Sequence, residues 1–173
     1  MTAGNTMALR WRQMRHADLR AVERIAAEVH PDYPEDPAIF VERLRLYPPG
    51  CRVCTSADGE TVQAYLLSHP WYLLQPPPLG SLLGTLPATP TTYHLHDLAL
   101  LPQTRGSGAG RAIVQALAEH ARANGLATLS LVAVNASMGF WERNGFTVYV
   151  EPRLVEKLRS YDDAACLMIR RLD

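Results

Sequence analysis

The sequence predicts an α/β fold, a single mixed and mostly antiparallel central sheet with flanking helices, on three observations. The first is strand and helix periodicity alternating in the order β, α, α, β, β, β, α, β, α, β, β along 173 residues. The second is a strand, a glycine-rich turn, a helix and a strand over residues 93–134, a unit whose two strands pair in parallel as neighbours. The third is size: 47% hydrophobic residues over this length suit one domain with its own core, so residues 1–173 are expected to fold as one unit.

Taken in order, "LRWRQMR" (9–15) alternates weakly as a first strand, and "HADLRAVERIAAEVH" (16–30) sets Leu19, Val22, Ile25, Ala26 and Val29 at helical spacing behind Asp18. "PDYPEDP" breaks that helix, and "AIFVERLRLY" (38–47) supplies a second, with Ile39, Phe40, Leu44 and Leu46 apolar, before "PPG" ends it. "CRVCTSADGETVQAYLLSHPWY" (51–72) reads as two strands around an Asp-Gly turn, a strong hairpin signal. Residues 75–92, "QPPPLGSLLGTLPATPTT", hold too much proline and glycine for regular structure and form an insertion, either functional or a floppy linker. The strand "YHLHDLALL" follows, then the glycine turn, a helix over about 108–124 and the strand "ATLSLVAV". A short helix "SMGFWERN", a turn at Gly145 with the strand "FTVYV", and a last strand "AACLMIRRL" close the chain.

Composition narrows the function. Seventeen basic and seventeen acidic residues cancel, so nothing favours a non-specific grip on nucleic acid or anionic lipid. The N-terminal stretch lacks the apolar centre of a signal peptide and no run approaches a membrane span, so a soluble, cytoplasmic protein is expected. Cys51 and Cys54 have the CxxC spacing, but in a strand residues three apart face opposite sides, which suits neither a shared metal nor a redox pair. Reduced, buried thiols are the expectation, with Cys166 alone.

The turn "RGSGAG" (105–110) opens a helix, and a helix N-terminus offers unpaired amides and a positive dipole end that glycines let an anion approach. It is therefore a phosphate-binding candidate. A Walker loop needs Lys and then Ser or Thr after its last glycine, where Arg111 and Ala112 stand. The dinucleotide pattern GxGxxG fits Gly106 and Gly108 but meets Arg111, and the next strand ends in Val134 and Asn135 with no acid for a ribose. A nucleotide-binding protein is thus disfavoured. The pattern Q/RxxGxG/A is met in place by Arg105, Gly108 and Gly110, with Pro102 ahead of it and "HDLAL" leading in.

Here the chain resembles the GNAT superfamily of acyl-CoA-dependent N-acetyltransferases, and the element order and "VNASMGFWERNGF" (134–146) extend the likeness over nearly the whole chain. The resemblance implies that the fourth and fifth strands are parallel but splay apart at a bulge, with the cofactor arm entering the gap. It implies that backbone groups of Leu98, Ala99 and Leu100 pair with the pantetheine amides and that Arg105, Gly106, Ser107, Gly108, Ala109 and Gly110 take the pyrophosphate; Arg105 or Arg111 adds charge to the phosphates, or is an ordinary solvated arginine. Asn135, one residue later than the family's asparagine, and Ser137, a helix cap by its other reading, are expected at the cofactor arm. The co-substrate implied is acetyl-CoA.

An amine attacking a thioester must shed a proton, and "YHLHDLAL" offers His96, an imidazole suited to proton relay, and Asp97. In a regular strand the two point to opposite faces unless a bulge re-aims Asp97. His94 and His96 share a face, but no third ligand accompanies them, so no metal is expected. Where the family places a general-acid tyrosine this chain has Phe140 and Trp141, and indole gives up no proton at useful pH. The resemblance thus implies an N-acetyltransferase acting on a primary amine of a small molecule or a peptide, the alternative being a non-catalytic acyl-CoA-binding module. Tyr33, Trp71 and Tyr72 are the candidates to line the acceptor's pocket, and self-association as a homodimer is left open.

Overall fold

Local sequence signals translate directly into the hairpin that starts the sheet. In the computed structural model, which describes residues 8–134 and 137–173, β1 (Arg10–Gln13) pairs antiparallel with β2 (Cys51–Thr55), and β2 with β3 (Val62–Trp71). The β2–β3 turn is held by Asp58, whose carboxylate accepts from Ser56 Oγ at 2.6 Å and the Glu60 amide at 2.9 Å, while Gly59 takes φ +75°. Between β1 and β2 lie α1 (Leu19–Val29) and α2 (Pro37–Leu46). Pro37 opens α2, and Asp36 caps it by accepting from the Ala38 amide at 2.8 Å. Asp18 precedes α1 but does not cap it; its carboxylate is engaged by the Arg12 guanidinium at 2.7 and 2.8 Å and by the Arg15 amide.

The rest of the chain adds β4 (Thr92–Leu100), α3 (Ala109–Ala123), β5 (Thr128–Ala133), α4 (Met138–Arg143), β6 (Thr147–Val148), α5 (Val155–Arg159) and β7 (Cys166–Arg171). Among the described residues seven strands run β1-β2-β3-β4-β5-β7-β6, and only the β4–β5 pair is parallel. This is the mixed, mostly antiparallel sheet that the residue pattern predicts. The last strand inserts between β5 and β6, and α5 forms where no element was expected.

Period-two alternation sends neighbouring strand residues to opposite cores. Tyr65 and Leu67 of β3 face Leu19, Val22, Ile25 and Phe40 from α1 and α2, while Leu66 faces Ile113, Val114, Leu117 and Ala118 of α3. Cys51 and Cys54 separate likewise into different clusters, and burial pushes their thiols up to about 12 and about 11, leaving them unreactive.

Two irregularities shape the site. β4 and β5 pair only at Tyr93 with Leu129 and His94 with Ser130, then part. On its other side β4 slips register against β3, Leu67 facing Asp97 and Ser68 facing Leu95, so His96 is the extra residue of a bulge. The insertion has no regular element but is pinned to α2. The buried Glu42 carboxylate accepts from the amides of Leu83 at 2.7 Å and Gly84 at 3.0 Å, and buried Arg43 donates to Glu42 at 2.6 Å and to the Ser81 carbonyl at 3.1 Å. Burial alone would raise the Glu42 carboxyl; the two amides and Arg43 outweigh it and hold the carboxyl low.

Candidate functional site

The glycine turn presents free donors. Gly106 and Gly108 take φ of +75° and +88°, a left-handed conformation that a side chain would strain. Ser107 folds its hydroxyl inward, donating to the Thr104 carbonyl at 2.6 Å and accepting from the Ala109 amide at 3.2 Å. Among the described residues the amides of Gly106, Gly108, Gly110 and Arg111 find no acceptor, and all four residues line a cavity together with Arg105. Gly110 serves a different purpose: a Cβ there would come within 3.0 Å of the Phe140 ring. Ala109 is buried, its carbonyl accepting the Trp11 indole N–H at 2.9 Å.

That cavity, of about 750 Å³, fills the gap where β4 and β5 part. Leu98 and Leu100 form one wall, Leu131, Val132 and Val134 the other, and Phe140 and Trp141 of α4 the end nearest the turn's helix. Ala99 turns away into the core under α1, so of the three β4 residues expected at the cofactor arm two present side chains to the gap. Ser137 borders the cavity and donates to the Val134 carbonyl at 2.6 Å rather than capping α4. Asn135 lies outside the described residues. Beyond His94 the backbone of β4 has no strand partner on the β5 side, so its polar groups are available to a ligand lying along it.

Where the cavity meets the bulge, two carboxylate–imidazole pairs converge. Asp97 Oδ1 lies 2.9 Å from His30 Nε2, and its Oδ2 accepts the Tyr65 hydroxyl. Glu35 Oε1 and Oε2 lie 2.8 and 3.1 Å from His96 Nε2. Burial pulls the His30 imidazolium down, but the Asp97 hydrogen bond and charge outweigh it, so His30 is raised from its ordinary value. Burial works against the Asp97 carboxylate in the same way, yet His30, Tyr65 and the nearby His96 hold it below the usual range. Tyr65 is pushed far up, first by burial and then by Asp97, and stays a donor. The bulge brings His96 and Asp97, two successive residues, to line the same cavity.

A second, smaller cavity of about 60 Å³ opens from the first, sharing His30, His96, Asp97, Val132 and Val134. Tyr33 lines it; Trp71 and Tyr72 do not. Trp71 sits at the end of β3 with its indole N–H donating to the Gln75 carbonyl at 2.8 Å, and the Tyr72 ring leans against it at a tilt of 55°, 38% exposed. His94 is buried, packed against the His69 ring with centroids 5.6 Å apart and near Ser130 Oγ at 3.4 Å, and it borders the small cavity. No group of three or more His, Cys, Asp or Glu among the described residues is arranged to hold a metal. His30, Glu35, Tyr65 and Tyr161 escape sequence reasoning because their partners lie 67, 61, 32 and 84 positions away. The one local hint is chemical: "HPDYPEDP" concentrates titratable groups in a segment too proline-rich to be a helix.

A glycine turn with free amides, a gap between splayed parallel strands and proton-carrying groups at the far end together define an N-acyltransferase type of fold. The chain belongs to the acetyltransferase (GNAT) family, whose model matches residues 11–146. By structure it is similar to Ard1 from Thermoplasma volcanium, at a TM-score of 0.71 and 19% identity over 96% of this chain and 99% of that one. It is likewise similar to the ribosomal-protein-S18-alanine N-acetyltransferase from Escherichia coli, at 0.65 and 18% over 96% and 95%. GphF, a GNAT-like decarboxylase in complex with isobutyryl-CoA, gives 0.77 and 18% over 95% and 100%. None of the curated proteins matches the sequence. No helix among the described residues is long and apolar enough to cross a membrane.

Proposed function

We propose that this protein transfers an acetyl group from acetyl-CoA to a primary amine. The observation that carries the reading is the continuity of one cleft, from the unpaired amides of Gly106, Gly108, Gly110 and Arg111, along the free edge of β4, to the imidazole–carboxylate pairs at the bulge. Such a cleft offers donors to a pyrophosphate at one end, strand hydrogen bonds to a pantetheine arm in the middle and a proton acceptor at the thioester. Arg105 and Arg111 border the phosphate end, and so does Arg143 from α4.

Each reacting group has a partner. Glu35 accepts from His96 Nε2 and so favours the tautomer with its proton there, leaving Nδ1 as the base. Asp97, held anionic by His30 and Tyr65, draws an incoming ammonium to the bulge. The ammonium gives one proton to solvent on becoming a nucleophile; its nitrogen bonds the thioester carbon, His96 Nδ1 takes the second proton, and the C–S bond breaks. CoA leaves as thiolate, which costs little because a thiol's reference pKa is about 8.5. Trp141, where a tyrosine would donate, is packed between Phe140 and Phe146 with centroids 4.9 and 5.4 Å away and acts as wall.

The test is amine-dependent release of free CoA from acetyl-CoA, followed in the parent and in His96→Gln. The expected result is turnover in the parent and a drop in kcat on the order of a hundredfold in the variant, with acetyl-CoA affinity kept. A protein that binds acetyl-CoA yet releases none with any amine is instead the non-catalytic module.

A further inference from the structure

The small cavity beside the bulge has a composition and a roof that narrow the acceptor. Three segments distant in sequence meet over it: the α1–α2 connection through Tyr33 and Glu35, the insertion through Leu79, and the stretch ahead of β7 through Tyr161. They are latched to one another. The Tyr33 hydroxyl donates to the Asp162 carboxylate, and the Tyr161 hydroxyl donates to the Pro77 carbonyl. A polypeptide entering with its N-terminus first would have to trail its chain through this roof, whereas a compact molecule needs only the chamber.

The walls also choose a charge. Glu35 and Asp97 are the acids facing the chamber, His30, His94 and His96 the imidazoles, and Tyr33 and Tyr161 the phenols; no lysine or arginine lines it. Arg43 donates to Glu42 and the Ser81 carbonyl, its Nε finds no partner among the described residues, and it is not one of the residues lining the chamber. An ammonium group entering here meets two carboxylates, while a carboxylate on the same molecule would be brought against them with no lysine or arginine on the wall and the His30 imidazolium already paired with Asp97. Leu79, Val132 and Val134 supply the apolar remainder.

Resting on the acyl-transfer reading, we infer that the acceptor is a small primary amine without a carboxylate, bound as its ammonium form, and not the N-terminus of a polypeptide. Glu35 and Asp97 receive the ammonium, the apolar wall takes a short alkyl or aryl body, and the latched roof excludes a following chain.

The experiment offers the full chain acetyl-CoA with 1,4-diaminobutane, 2-phenylethylamine, alanine, glutamate and an alanine-initiated hexapeptide amide, reading free CoA and the mass of the acetylated product. At least one of the two amines should exceed both amino acids and the peptide in kcat/KM by about tenfold or more, the order expected when a charge is left unpaired in a closed site. In Tyr33→Phe, which loses the latch to Asp162, peptide turnover should rise relative to amine turnover. Equal or better use of the peptide or of either amino acid overturns the inference, as does a peptide-to-amine ratio unchanged in Tyr33→Phe or no turnover of either amine. A thermal shift with acetyl-CoA in the same samples separates the two levels: if it persists, only the acceptor assignment falls, and if it is missing, the acyl-transfer reading falls with it.

Discussion

His69 and Trp141 show how much a single side chain's surroundings decide. Burial pulls His69 down to about 3, with His96 and Arg43 adding to the effect and the Pro70 carbonyl opposing it, and the same burial takes neighbouring His94 well below normal. His69 Nε2 finds no hydrogen-bond partner among the described residues, so the ring is carried neutral in the fold. With a folded pKa below the unfolded value of 6.5, the unfolded chain binds protons the folded chain refuses. The stability that the neutral His69 contributes is therefore full above about 6.5 and is lost as pH falls toward about 3. His69→Phe, which keeps an aromatic edge against Trp71, should reduce the loss of stability between about pH 7.5 and about pH 5 by about 2 kcal/mol, as measured by urea denaturation at both values. An identical pH dependence in the two proteins would mean that His69 titrates normally. Trp141→Phe is the complementary case: lost packing against Phe140 and Phe146 should cost at most several-fold in rate, about 1 kcal/mol, with no new alkaline limb in the pH profile. A hundredfold loss in a folded, cofactor-binding variant would give the indole a catalytic part.

At the scale of elements, α2 and the insertion behave as one piece. Glu42 holds two insertion amides and the buried Arg43, so Glu42→Ala strands a guanidinium that is 1% exposed. The expected loss is about 3 kcal/mol, with new protease cleavage within residues 75–92, read by denaturation and limited digestion. Unchanged stability would show the clamp to be incidental. The glycine turn makes the opposite point, since its glycines serve separate ends: Gly106 and Gly108 for a left-handed backbone, Gly110 for the Phe140 ring. Periodicity and punctuation made most of these elements legible, because the β2–β3 hairpin, α3 and the turn are each written within a dozen or so neighbouring residues. A bulge was implied by the family resemblance alone, and neither its place at His96 nor the insertion of β7 between β5 and β6 was legible. Both depend on pairing partners that local sequence does not name. For the same reason the phosphate end of the cleft could be read from "RGSGAG", whereas His30 and Glu35 emerged only when the α1–α2 connection folded against β4.

For the whole molecule the account makes one structural claim, that parting β4 from β5 creates a cleft whose amide-rich end receives the phosphates of an acyl-CoA. A ligand bound there belongs to the native state alone and must stabilise it. The most direct test is a calorimetric titration of acetyl-CoA into the parent and into Gly108→Asp, with Gly108→Ala as a control for strain at φ +88°. The account predicts saturable binding to the parent, modest weakening in the alanine variant, and in the aspartate variant a loss on the order of a hundredfold, from charge-assisted hydrogen bonds forfeited and a like charge introduced. Absence of binding to the parent, or equal affinity in the parent and a folded Gly108→Asp, would contradict it.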